Sequence, residues 1–68
     1  MLNWIPVSSS RMNAVAWQDN TLFVQFKDGA VYRYENVSRI EFEDFINSPS
    51  LGSSLSRLDK RHPYSRVN

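Results

Sequence analysis

The sequence predicts an α+β fold, a three-stranded antiparallel meander followed by two short helices packed on one of its faces. Three observations carry this reading. Leu22, Val24 and Phe26 alternate with less apolar neighbours, and a second β-rich run, Ala30 to Glu35, follows across an Asp28-Gly29 turn signal. Val37-Ser38-Arg39-Ile40-Glu41-Phe42 holds a complete helix-start signal. Leu51, Leu55 and Leu58 recur at i, i+4 and i+7, one stripe of a helix.

Taken in order, residues 1–37 read as β. The first strand is expected between Val7 and Trp17, with its start near Ser10, and Asp19-Asn20 marks the turn into the second. The second strand, Thr21 to Lys27, and the third, Ala30 to Glu35, form a hairpin whose register decides where the tyrosines point. A two-residue Asp28-Gly29 loop would set Tyr32 opposite Gln25. A three-residue loop, residues 27–29, sets Val24 opposite Tyr32 and Leu22 opposite Tyr34. Only the longer loop gathers the large apolar side chains on one face, because a one-residue slip inverts every side chain. It also puts Gly29 where a G1 bulge requires a left-handed residue. Tyr32 and Tyr34 are therefore read as mainly structural, and the outer face carries Ala14, Ala16, Phe23, Gln25, Val31 and Arg33. Residues 38–47 form the first helix. Ser38 and Glu41 make its capping box, Val37 and Phe42 its hydrophobic staple, and Ile40, Phe45 and Ile46 continue the apolar side. The second helix runs from Leu51 to Lys60 with Ser50 as its cap, and Gly52 suggests a close backbone approach. Residues 62–68 leave it as a C-terminal tail. The expected core is Trp17, Leu22, Val24, Phe26, Tyr32, Tyr34, Phe42, Phe45, Leu55 and Leu58.

Sixty-eight residues make one domain near the lower size limit of independent folding. Cysteine is absent, so no disulfide or thiolate site exists, and one His with scattered acids makes no zinc site. Two Trp, three Tyr and four Phe supply the core instead, each ring burying roughly 150–250 Å². The net charge of +1 conceals an asymmetry. Glu35, Glu41, Glu43 and Asp44 outnumber Arg39 in residues 35–44, whereas Arg57, Lys60, Arg61 and Arg66 outnumber Asp59 near the end. Neither a leader pattern nor an apolar run of ~20 residues is present. A cytoplasmic protein, mature as written and without membrane contact, is expected.

The ordered set of marks resembles the KTSC domain family. The family pattern has Val-x-Ser-Ser near its start, approximated by Val7-Ser8-Ser9, then an aromatic before an Asp-containing turn, here Trp17-Gln18-Asp19. Its Phe-x-x-Gly-x-x-Tyr-x-Tyr signature is matched by Phe26, Gly29, Tyr32 and Tyr34. A valine and short helix follow (Val37 and residues 38–47), then Ser50-Leu51-Gly52, and Pro63-Tyr64 near the end. Two departures stand out. Ser53, Ser54 and Leu55 occupy places where large aromatics are expected, and Ser38 stands where proline is common. The family is named for an extension of some lysyl-tRNA synthetases and also occurs as stand-alone bacterial and phage proteins. The resemblance implies no settled activity; the synthetase fusion suggests RNA binding by association.

No catalytic constellation is visible. His62 could act as a base toward Ser54, Ser56 or Ser65, but no third group orients it, and it reads as a surface residue favoured by a helix C-terminus. The serines around Gly52 could cradle a phosphate, although serines at such places usually cap and turn. Two surfaces are better candidates. Arg57, Lys60, Arg61 and Arg66 could track a phosphate backbone, with Tyr64 or Trp4 stacking on a base. On the outer face, Phe23 and Arg33 could form a stacking or partner-binding patch, unless the C-terminal tail covers it. The expectation is thus a non-catalytic binding module without cofactor or metal, whose partner is single-stranded nucleic acid. Two alternatives stay open. One is a protein-interaction or self-associating module, such as a phage or mobile-element factor acting on a host target; the other is a small-nucleotide binder.

Overall fold

The computed structural model describes residues 2–68. Its centre is the hairpin pair the sequence predicts. Strand β2 (Met12–Gln18) meets β3 (Thr21–Phe26) through Asp19-Asn20, both at positive φ, 52° and 59°. Two consecutive left-handed residues are what a type I′ turn requires, and its twist matches that of the flanking strands. Strand β4 (Val31–Glu35) then pairs with β3, placing Leu22 opposite Tyr34 and Val24 opposite Tyr32. The three-residue loop is closed by Phe26 N donating to Ala30 O at 2.8 Å and by Gly29 N donating to Phe26 O at 3.0 Å. Gly29 lies at φ +94°, and no atom lies within 4 Å of where a Cβ would be. Space is therefore not the constraint there; backbone conformation is. Gly29→Val is expected to destabilise by about 1–2 kcal/mol, the cost of forcing a side-chain-bearing residue into that region. Urea unfolding checks this, and a change within about 0.5 kcal/mol would contradict the strain argument.

The sheet has five strands rather than the predicted three, in spatial order β1-β2-β3-β4-β5, all antiparallel. Strand β1 (Ile5–Pro6) lies beside β2, and β5 (Tyr64–Arg66) lies beside β4. Both are edge strands of two or three residues, too short to show a period, and proline is tolerated there because no inner neighbour needs its amide. Within residues 62–68, expected as a tail, Tyr64–Arg66 thus extends the sheet. These residues do not cover its outer face. The first long strand begins at Met12, later than expected, after a bend at residues 10–11. A bulge between Met12 and Ala14 adds one residue and returns Met12 to the inner face, fully buried.

Helix α1 (Arg39–Ile46) starts as the sequence dictates. Ser38 Oγ accepts from Glu41 N at 3.1 Å, and the Glu41 side chain accepts from Ser38 N, completing the capping box. Helix α2 (Leu51–Arg61) is capped by Ser50. Both helices pack on the inner face, where Phe42, Phe45, Leu55 and Leu58 join Met12, Val15, Leu22, Val24, Tyr34 and Val37 in one core. Of the expected core, Trp17, Phe26 and Tyr32 lie at its margin, half-buried. The Trp17 indole Nε1–H donates to Val37 O at 2.8 Å, and its ring stacks on Phe42 at 6.2 Å.

Four local expectations need correction. Ile40 is 72% exposed, because the inward stripe of α1 is Phe42, Phe45 and Ile46, and a residue two before Phe42 points away from it. Gly52 has no close neighbour; nothing lies within 4 Å of its would-be Cβ. Ala14 and Ala16 are buried rather than displayed, and β1 brings Pro6 opposite Ala14. Finally, His62 is not a surface residue. Its side chain is 9% exposed, with Nε2 2.9 Å from Glu41 Oε2 and Nδ1 3.1 Å from Glu35 O.

His62 therefore links the start of α1, the end of α2 and the exit of β4, with Arg61 adding a 3.8 Å ion pair to the same carboxylate. Burial alone would raise the Glu41 carboxyl. The hydrogen bond from His62, the Ser38 amide and the charges of His62 and Arg61 together outweigh it, and the group titrates below its ordinary 4.5. A carboxyl depressed in the folded state contributes stability that is present above its unfolded value and lost as pH falls through its folded one. Wild type is thus expected to lose stability progressively below pH 4.5. Glu41→Gln should have a flatter acid limb in urea denaturation across that window; an unchanged acid limb would contradict the linkage.

Candidate functional site

The helices cover the inner face most fully over β2 and β3. Toward β4 and β5 that face opens into a groove of about 500 Å³, within the usual range for ligand pockets. Its wall follows from strand alternation. Tyr32 and Tyr34 point inward from β4, and the antiparallel register sets Arg66 opposite Tyr32 and Tyr64 opposite Tyr34, so all four share one face. Phe26, at the end of β3, completes a continuous aromatic surface. Phe26 and Tyr32 meet edge to face at 5.6 Å, Tyr32 and Tyr64 lie 6.1 Å apart, and Tyr64 and Tyr34 5.3 Å apart.

These rings are not equivalent. Tyr34 is buried and forms the floor, its hydroxyl donating to Asp59 Oδ1 on α2 at 2.7 Å. Burial first, then the Asp59 hydrogen bond and charge, push its phenol well above the ordinary value, so it remains a neutral donor. Phe26 has the Arg11 guanidinium over its ring at 6.0 Å, a cation–π distance. Tyr64 is 50% exposed and offers the most open ring of the four. Three cations line the same groove: Arg11, held where Lys27 N donates to Arg11 O at 3.0 Å; Lys27 itself; and Arg66. The β5 rim is fastened to the hairpin loop. Val67 N donates to Val31 O at 2.8 Å, and Asn68 accepts from Val31 N and donates to Gly29 O, each at 2.9 Å.

Of the residues singled out from sequence, the groove unites Tyr32, Tyr34, Tyr64 and Arg66. The others lie elsewhere. Phe23 and Arg33 are cross-strand partners on the outer face, Arg33 exposed and Phe23 half-buried beside Leu2 and Thr21. Arg57 and Arg61 turn toward the acids of α1, where Arg57 also donates to Ser54 Oγ at 3.0 Å. Lys60 is exposed, without an ion pair among the described residues. The sequence does not mark Arg11, Lys27 or Asp59 as site residues, and it marks Phe26 as core and as the first aromatic of the Phe-x-x-Gly-x-x-Tyr-x-Tyr signature. Arg11 precedes a bulge that no pattern announces, and Asp59 is recognisable only once α2 is docked over Tyr34. At the start of α2, Ser50 Oγ accepts from Ser53 N and Ser50 O from Ser54 N, so capping engages two of the amides a phosphate would need. Among the described residues no helix is long and apolar enough to cross a membrane.

No curated protein matches the chain. Among solved structures, the crystal structure of a KTSC domain protein from Yersinia pestis superposes with a TM-score of 0.89 at 25% identity, over 100% of both chains. The KTSC domain family model matches residues 8–64, from the segment before β2 to the first residue of β5. The chain belongs to the KTSC domain family.

Proposed function

We propose that this KTSC domain is a cytoplasmic binding module for single-stranded nucleic acid, with the groove between β5 and α2 as its base-stacking site. One observation carries the reading: a half-exposed tyrosine ring, Tyr64, held in a fastened aromatic wall, in a groove that three cations, Arg11, Lys27 and Arg66, also line. Stacking on an aromatic face is sequence-tolerant because every base has one, and neighbouring cations track the backbone. The outer-face alternative, a self-associating or protein-binding patch at Phe23 and Arg33, has less open apolar surface than the sequence suggests, since Ala14 and Ala16 are buried. The reading assigns no catalytic role. His62, the only side chain here whose unperturbed chemistry is suited to base catalysis near neutral pH, has both ring nitrogens engaged.

Titration of a single-stranded RNA oligonucleotide at several salt concentrations tests this. Three phosphate contacts predict a slope of log K against log salt near −2, at about 0.7 per contact. Arg11→Ala and Arg66→Ala should each flatten it by about 0.7, whereas Arg33→Ala and Lys60→Ala should leave it unchanged. Absence of binding, or affinity indifferent to salt, would refute the proposal.

A further inference from the structure

We infer that the groove selects guanine, a preference that rests on the nucleic-acid reading above. Asp59 is the unexpected member of the lining, the carboxylate that α2 contributes to a groove also lined by Arg11, Lys27, Asp28 and Arg66. It repels a phosphate, so its place there calls for a donor. Tyr34, buried beneath it, donates to Oδ1 at 2.7 Å and fixes the carboxylate from the floor of the site. Among the described residues, no Lys, Arg or His forms an ion pair with Asp59, and Oδ2 has no hydrogen-bond partner. The other acid in the lining, Asp28, accepts from Ala30 N at 3.0 Å and is exposed in the hairpin loop, whereas Asp59 is half-buried and held by Tyr34, whose ring lies 5.3 Å from that of Tyr64. Asp59 is thus the acceptor set beside the Tyr34–Tyr64 pair. A carboxylate has about four lone-pair sites, so Oδ2 and the remaining lone pair of Oδ1 can take two donors while Tyr34 keeps its own.

Single-stranded bases are read along their Watson–Crick edges while stacked on aromatic rings. Guanine alone among the RNA bases presents two neighbouring donors there, N1–H and the N2 amino group. Adenine and cytosine each set one amino group beside a ring nitrogen whose lone pair opposes the carboxylate. Uracil sets one N–H between two carbonyls. A base lying on Tyr64 with its edge toward Asp59 therefore gains most when it is guanine.

Three labelled strands test this on the full chain by fluorescence anisotropy: an oligouridine, the same strand with one central guanosine, and the same with inosine there. The guanosine strand should bind about tenfold more tightly than oligouridine, the scale of one bidentate contact. Inosine keeps N1–H but lacks the N2 amine, and its strand should fall between the two. Asp59→Asn keeps an acceptor for Tyr34 and turns the free oxygen into an amide donor; it should erase the preference while still binding oligouridine. If that variant does not fold, the inosine comparison on wild type decides alone. Equal affinity for all three strands, inosine binding as well as guanosine, or a preference surviving in a folded Asp59→Asn would overturn the guanine inference and leave nucleic-acid binding standing. No binding to any strand would overturn both.

Discussion

Phe42→Ala is expected to remove about 3–5 kcal/mol of stability, the usual cost of deleting a buried aromatic ring. Phe42 is the N4 residue of α1, so it closes the staple over Val37. It also stacks on Trp17, whose indole holds the Val37 carbonyl. Removing the ring thus opens a cavity where the helix start, the β2 side of the sheet and the β4–α1 connection converge. A domain of this size has roughly 3–10 kcal/mol in total, at about 0.05–0.15 kcal/mol per residue, so the variant should be largely unfolded in mild denaturant. Ile40→Ala, two positions earlier, is the matched control: that side chain is exposed, and its loss should stay within about 0.5 kcal/mol. Phe26→Ala should cost less than Phe42→Ala, because Phe26 is only half-buried at the groove. Urea denaturation ranks the three, and a wild-type-like midpoint for Phe42→Ala would contradict the core assignment.

Tyr64→Ala is expected to weaken single-stranded RNA binding by about 1–3 kcal/mol, the measured scale for loss of one base–aromatic stack. Roughly five- to 150-fold in dissociation constant corresponds to that range. The fold should survive, since half the residue is exposed and the strand pairing of β5 uses its backbone. The salt slope should stay as in wild type, because no charge is removed. Phe23→Ala, on the opposite face, should leave RNA affinity unchanged. The reverse pattern, with Phe23 sensitive and Tyr64 silent, would move the site to the outer face.

Where the sequence could be read, the information was local. The β3–β4 register follows from one alternation and one glycine, and Gly29 at positive φ with Leu22 opposite Tyr34 is what that pattern demands. The α1 cap is four residues of side-chain chemistry, and every hydrogen bond of it forms. Illegible features depended on partners distant in the chain or on segments too short to have a period. Strands β1 and β5 are two and three residues long, and their pairing comes from the edges that β2 and β4 leave unpaired. His62 reads as a helix-end residue until Glu41 is brought beside it from 21 positions away. The groove assembles Arg11, Phe26, Asp59 and Arg66 from four separate stretches, so the sequence shows its aromatic residues as a motif and Arg66 as a tail cation, but not Arg11 or Asp59 beside them.

Backbone and side-chain NMR chemical-shift mapping during titration with single-stranded RNA tests the placement of the site most directly. The binding reading predicts that the largest shifts cluster at Arg11, Phe26, Tyr32, Tyr64 and Arg66, with Phe23 and Arg33 little changed. Shifts centred on Phe23 and Arg33, or confined to Arg57, Lys60 and Arg61 on α2, would contradict it.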